Sequence, residues 1–201
     1  MGAATSAASG ERKREVRATV RARRAARSPE RRERDAAELS HHLIELVRAA
    51  GARTVTCYLP MADEPDPSGF LDWALGAGVD VLLPVSLPDR GLAWARHSVA
   101  PQVVGRHGIR EPAGPRLPGS AARDAELLLV PACAVDVTGT RLGWGLGYYD
   151  RVLATLDPRV PVFAVVFAED VLDRLPRDPH DVPVDGAVTP AGTRRFPDQR
   201  H

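Results

Sequence analysis

The sequence predicts an α/β protein: one three-layer α/β/α domain with a mainly parallel sheet and a helical segment at its N-terminus. Three observations carry this. Four apolar runs of strand length, Thr54 to Leu59, Val79 to Val85, Leu127 to Pro131 and Val160 to Phe167, are separated by stretches with helical spacing. The last run is almost wholly apolar, as a strand covered on both faces must be. The loops that leave these strands carry acidic residues and glycines, the residue types that open sheets present to ligands at their carboxyl ends.

The bulk properties set the frame. The 201 residues suit a single core without covalent staples, and 44% apolar with 26% charged residues is ordinary for a globular chain. A net charge of +1 gives no global reason to expect nucleic acid or a membrane surface, and no apolar run reaches the roughly 20 residues that span a bilayer. Cys57 and Cys133 sit in strand-like contexts without metal-ligand spacing, which reads as two buried thiols in a reducing compartment. A soluble cytoplasmic protein, with nucleic acid an unlikely partner, is the expectation.

Residues 1–10 are small and polar and read as a disordered head, with the domain over 11–192 and a polar tail over 193–201. Glu11 to Arg27 has no Gly or Pro and forms a helix with a thin apolar face, Val16 and Val20. Its segment is basic: Glu11 to Asp35 holds eleven basic and five acidic residues. Lys13, Arg17, Arg21 and Arg24 fall on one face, either a solvated stripe or one that meets phosphates or RNA. Lys13 is the single lysine of the chain. A compact ammonium kept for phosphate and an incidental survivor are both open readings. Ser28-Pro29-Glu30 starts the next helix with a capping hydroxyl, a proline at its first position and an acid in its first turn. Leu39, Leu43, Leu46 and Ala50 give its core face, and Gly51 ends it.

Beyond the strand ending at Leu59 comes the acidic loop with Asp63 and Glu64, then a short helix over Phe70 to Ala77. Leu92 to His97 reads as a strand of an edge hairpin, and Val99 to Gly119, rich in Pro and Gly, as a long ordered loop that could cover a site. Val171 to Leu175 reads as one helical turn, and a short strand to Val188 precedes the tail.

The stretch with most chemistry is Gly139 to Asp150, Gly-Thr-Arg-Leu-Gly-Trp-Gly-Leu-Gly-Tyr-Tyr-Asp, lying between a strand and a helix. It is neither a dinucleotide G-x-G-x-x-G nor a Walker loop. Alternating glycines nevertheless let backbone N–H groups approach an anion, Arg141 adds a forked donor, and Asp150 can face a Mg²⁺ carried by phosphates or serve helix-start electrostatics.

Leu129-Val130-Pro131, Asp136 and Gly139 through Arg151 together resemble the signature of the 5-formyltetrahydrofolate cyclo-ligase (5,10-methenyltetrahydrofolate synthetase) family. Lys13 to Arg17 resembles that family's N-terminal K-x-x-x-R, Leu59 to Glu64 its L-x-x-x-x-E, and His180-Asp181 its late H-D, so the likeness runs through nearly all of the chain after residue 10. The resemblance implies ATP- and Mg²⁺-dependent closure of a reduced folate. It implies ATP contacts from Lys13, Arg14, Arg17, Arg141, Leu142, Gly143, Trp144, Gly145, Leu146, Gly147, Tyr148 and Tyr149. Leu59, Glu64, Trp144 and Tyr148 would meet the folate, Asp150 and Asp181 would hold Mg²⁺, and Lys13, Arg141 and Tyr148 would act in catalysis. Trp144 and Leu146 depart from common family choices. Leu146 removes one phosphate contact, and Trp144 either stacks on a ligand ring or packs beneath the loop.

Overall fold

A computed structural model describes residues 2–178 and 181–197. Helix α1 (Gly2–Ala25) begins eight residues before the expected boundary at residue 10, so the head expected to be disordered is drawn into the helix. Ala3, Ala4, Ala7 and Ala8 explain the extension, since alanine is the strongest helix former. Helix α2 (Pro29–Ala50) is bounded as its sequence dictates. Ser28 Oγ accepts from Arg31 N–H at 3.3 Å, and Gly51 closes the helix at φ 63°.

Strand β1 (Thr54–Thr56), helix α3 (Ser68–Ala77), strand β2 (Asp80–Ser86) and its antiparallel partner β3 (Leu92–Arg96) follow. The expected loop of 99–119 contains a small hairpin, β4 (Gln102–Val104) with β5 (Arg110–Pro112). Then come β6 (Leu127–Pro131), β7 (Ala134–Asp136), β8 (Arg141–Leu142), helix α4 (Tyr148–Leu153) and β9 (Val162–Val165). Val171 opens β10 (Val171–Leu172), which pairs in parallel with β7, where one helical turn was expected. An isolated turn is too short to sustain helix, and β-branched Val171 finds a ladder instead. The expected tail is likewise ordered at its start. Strand β11 (Gly186–Thr189) turns through Gly192 into β12 (Gly192–Arg195), whose Thr193, Arg194 and Arg195 pair with it, and Phe196 is buried.

The main sheet has the order β12-β11-β9-β6-β1-β2-β3, parallel throughout except at its two edges. One face packs on α2 and α3 through Leu39, Leu43, Phe70 and Leu71, and the other on α4 and the 3-10 segment at 119–124 through Val152, Leu153 and Ala122. Cys57 and Cys133 are both free and buried. Strand order reverses between β1 and β6, which creates a crevice at their carboxyl ends. Helix α1 joins neither face. Its Val20, supported by Val16, packs on Ala134 and Leu142 of the small β10-β7-β8 sheet and on Leu175 just beyond β10, bringing its N-terminal half beside that crevice.

Candidate functional site

The β7–β8 hairpin aims the glycine loop. Buried Asp136 accepts from Thr138 N–H, Thr138 Oγ1, Thr140 N–H and Leu175 N–H at 2.7–3.0 Å, which fixes the turn. Gly139 closes it at φ 86°, where a Cβ would collide with the Val184 carbonyl oxygen. The first glycine of the motif is therefore an architectural residue. Beyond β8 the loop runs exposed from Gly145 to Gly147, with Gly145 at φ 98° and Gly147 at φ 72° leading into α4. That helix has six residues, so the anion affinity of the loop rests on its bare N–H groups and on neighbouring cations more than on a helix terminus.

Three cations surround the loop. Arg141 is buried and ion-pairs with Asp150, while its Nε, also buried, has no acceptor among the described residues. A buried guanidinium N–H without an acceptor is a costly feature that an incoming anion would satisfy. Arg17 donates from Nε to the Gly143 carbonyl at 2.8 Å and lies over Gly145, so it ties α1 to the loop. Lys13 Nζ contacts Asp178 and Asp181, each at 2.8 Å. Burial pulls the Lys13 ammonium toward deprotonation, but the two carboxylates outweigh it and raise its pKa above the ordinary value.

Glu64 forms the opposite wall. It is buried; Oε1 accepts from Trp144 Nε1–H at 3.0 Å and Oε2 from Met61 N–H at 3.0 Å. Burial raises its pKa, and the Met61 and Trp144 hydrogen bonds and the Arg24 charge only partly restore the ionised form. Trp144 is half-buried, with the Arg24 and Arg21 guanidinium groups 5.3 and 5.5 Å from its ring centre. Its indole thus packs against α1 while its edge borders the cavity, joining the loop to Glu64. The Tyr149 hydroxyl is buried without a partner among the described residues, and burial pushes its pKa up, so it stays a neutral phenol.

These groups enclose one cavity of about 350 Å³ at the carboxyl ends of β1, β2 and β6. Lys13, Arg17, Leu59, Glu64, Asp150 and Asp181 line it, as does every residue from Arg141 to Tyr149. Arg14 is the exception: it is exposed on α1 and does not border the cavity. His180 lies outside the described residues. Sequence reasoning missed four participants. Tyr58, whose hydroxyl donates to the Pro65 carbonyl at 2.6 Å, and Asp178 beside Lys13 both line the cavity. So does Arg110, from the β4–β5 hairpin. Arg24 lies behind Trp144, fully buried. For Asp178 a signal existed in its closeness to the H-D pair; an arginine at a core position carries none.

The basic face of α1 is turned largely toward the protein: Lys13 and Arg17 line the cavity, Arg24 is fully buried, and Arg21, itself exposed, lies over Trp144. Among the described residues no helix is long and apolar enough to cross a membrane.

A divalent ion fits this site as a passenger on phosphate. Asp150 and Asp181 offer hard oxygen donors, but each is held by a cation, Arg141 and Lys13. Among the described residues, the one close triad of possible ligands is His41, His42 and Glu45 on α2, none of which borders the cavity. Few protein ligands and several shared oxygens is the arrangement magnesium prefers.

The family model described as the 5-formyltetrahydrofolate cyclo-ligase family matches residues 9–190. A protein of Mycolicibacterium smegmatis named 5-formyltetrahydrofolate cyclo-ligase is 41% identical over 143 residues, 69% of this chain and 74% of its own length. The protein of that name from Escherichia coli K12 is 28% identical over 177 residues, 86% of this chain and 97% of its own. The structure of an Aquifex aeolicus 5,10-methenyltetrahydrofolate synthetase superposes with a TM-score of 0.77 at 34% identity, covering 94% of this chain and 95% of that one. With the glycine loop, the lone lysine and the buried glutamate gathered at one switch point, and the match extending over residues 9–190, the chain belongs to the 5-formyltetrahydrofolate cyclo-ligase family.

Proposed function

We propose that this protein uses ATP and Mg²⁺ to convert 5-formyltetrahydrofolate into 5,10-methenyltetrahydrofolate, ADP and phosphate. The observation that carries the reading is a single cavity with an anion-binding wall, Lys13, Arg17, Arg141 and the glycine loop, facing a buried carboxylate, Glu64. The first wall suits a polyphosphate. The second suits the N–H groups of a pterin, which a carboxylate held by Trp144 and Met61 is oriented to accept.

The formyl oxygen attacks the γ-phosphorus of ATP, ADP departs, and the formyl carbon becomes electrophilic. N10 then adds to that carbon and loses its proton; the C–O bond breaks, phosphate leaves, and the methenyl ring closes. Such a phosphoryl transfer asks a protein for alignment and charge neutralisation more than for covalent chemistry. Lys13 and Arg141 stabilise the charge on the transferring phosphoryl group, Arg17 and the loop N–H groups hold the remaining phosphates, and the Tyr148 and Tyr149 rings exclude water. Asp150 and Asp181 would hold a Mg²⁺ ion, which would supply further charge neutralisation when bound. We place the protein in the cytoplasm as a monomer, a reading supported by the fact that every group invoked comes from one chain.

The test is the absorbance of the methenyl product on mixing protein, 5-formyltetrahydrofolate, ATP and Mg²⁺. Product should appear with all four components and fail to form when ATP is withheld. Cyclisation without ATP would overturn the phosphorylation step, and no product at all would overturn the activity.

A further inference from the structure

The cavity is lined by four cationic side chains, Lys13, Arg17, Arg141 and Arg110, and three of them are engaged. Lys13 contacts two carboxylates, Arg141 pairs with Asp150, and Arg17 bonds the Gly143 carbonyl. Arg110 has no hydrogen-bond or ion-pair partner among the described residues, and it is exposed to solvent. It also comes from a different part of the molecule. The other three sit on α1 and the glycine-loop strand, whereas Arg110 begins β5, whose hairpin packs beside β2. The same hairpin and β2, which pack together, also bring Ile109, Pro84 and Ser86, apolar or neutral residues, to the cavity wall.

The position of Arg110 is fixed by the residue after it. Strand alternation sends Glu111 to the other face, where it is buried and accepts from Ser86 N–H at 2.8 Å. Gly105, across the hairpin, lies so close that a Cβ there would collide with the Glu111 carboxylate. Glu111 thus pins the hairpin to β2 while Arg110 projects at the cavity rim.

We infer that Arg110 is a specificity-determining residue that binds a carboxylate on the solvent-side end of the substrate, the glutamate portion of a reduced folate. This rests on the proposed folate reading. A folate is a flat ring system carrying two carboxylates at its far end. Once the pterin is against Glu64, those carboxylates need a cation away from the phosphate wall, and Arg110 is the unengaged one. The same guanidinium could instead meet a phosphate of ATP, and the two sources are separable by kinetics.

The experiment compares wild type with Arg110→Ala and Arg110→Lys. The substrates are 5-formyltetrahydrofolate and its derivative with both glutamate carboxyls converted to primary amides. Arg110→Ala should raise KM for the acid about tenfold, the size of one exposed charge-assisted contact, and leave kcat and the KM for ATP unchanged. The same substitution should leave KM for the diamide unchanged, so that the wild-type preference for the acid disappears, and Arg110→Lys should keep part of it. A rise in the KM for ATP, an equal rise for acid and diamide, or no change in Arg110→Ala would each overturn the assignment while leaving the folate activity standing. A wild-type protein that neither binds nor cyclises 5-formyltetrahydrofolate would overturn the underlying reading and this one with it.

Discussion

At the residue scale the site turns on Lys13. Two carboxylates at 2.8 Å hold its ammonium in place and raise its pKa above the ordinary lysine value of 10.5, after burial has worked in the opposite direction. Lys13→Met should lower kcat/KM for ATP by about 10²-fold, as loss of a donor to a transferring phosphoryl group does. It should also destabilise the protein by leaving Asp178 and Asp181 side by side. A group whose folded pKa lies above its unfolded value stabilises fully below the unfolded one and loses that effect as pH climbs through the folded one. The melting-temperature gap between wild type and Lys13→Met should therefore be constant from neutral pH toward 10.5 and close above it. A gap that instead widens with rising pH would assign the coupling to another group. How legible such residues were in the sequence depended on chemistry. Lys13 was visible because it is the one lysine of the chain, and Glu64 because it follows a buried strand. Arg110 was not visible. Nothing local tells a loop arginine that projects into a cavity from one that faces solvent, and only the hairpin register decides it.

At the element scale the decisive piece is α1, and the decisive contact is Arg24. Its guanidinium donates to Asp170 Oδ2 at 2.8 Å and to the Ala132 and Cys133 carbonyls at 3.0 and 2.9 Å, with the Trp144 ring on one side and Phe167 on the other. The other anchors of α1 are the apolar pair Val16 and Val20 and the more peripheral polar contacts of Lys13, Arg17 and Arg23. Arg24→Met removes a buried partner from Asp170 and strands two carbonyls. It should lower the unfolding free energy by about 3–5 kcal/mol, read from denaturant midpoints. Arg24→Met combined with Asp170→Leu should recover part of the loss, because a buried carboxylate left with Arg23 as its remaining cation goes too. No recovery would place the energy in the carbonyl contacts. The long apolar strands and the helix bounded by Ser28 and Gly51 were legible because their signals are local. β7, β8 and β10, of two or three residues each, were not, since strands that short exist only by virtue of their partners. The same logic hid the inward turn of α1. Arginines at helical spacing look like a solvated face until the acceptors that bury them, Asp170 and two strand-end carbonyls, arrive from about 110 to 150 residues away.

At the scale of the whole molecule, the cavity is a seam between three bodies. They are the sheet ends with Glu64, the small β10-β7-β8 sheet with its glycine loop, and the N-terminal half of α1. Lys13 reaches across that seam to Asp178 and Asp181, and Arg17 reaches across it to Gly143. A polyphosphate seated between them would bond to α1 and to the loop at once, so ligand affinity would become stability of the helix. At a nucleotide concentration 100 times Kd the gain is about 2.7 kcal/mol for any opening that releases the ligand. Amide hydrogen exchange should report it: with MgATP, protection should rise both in the loop over 143–147 and in α1 around Lys13 to Arg17, by up to about 100-fold in α1 if its undocking frees the nucleotide. Helix α2 faces the opposite layer and should change little, which separates local bridging from general rigidification. Protection confined to the loop would mean that α1 is a cover resting on the site; protection in both would make it one of the walls that hold the phosphates.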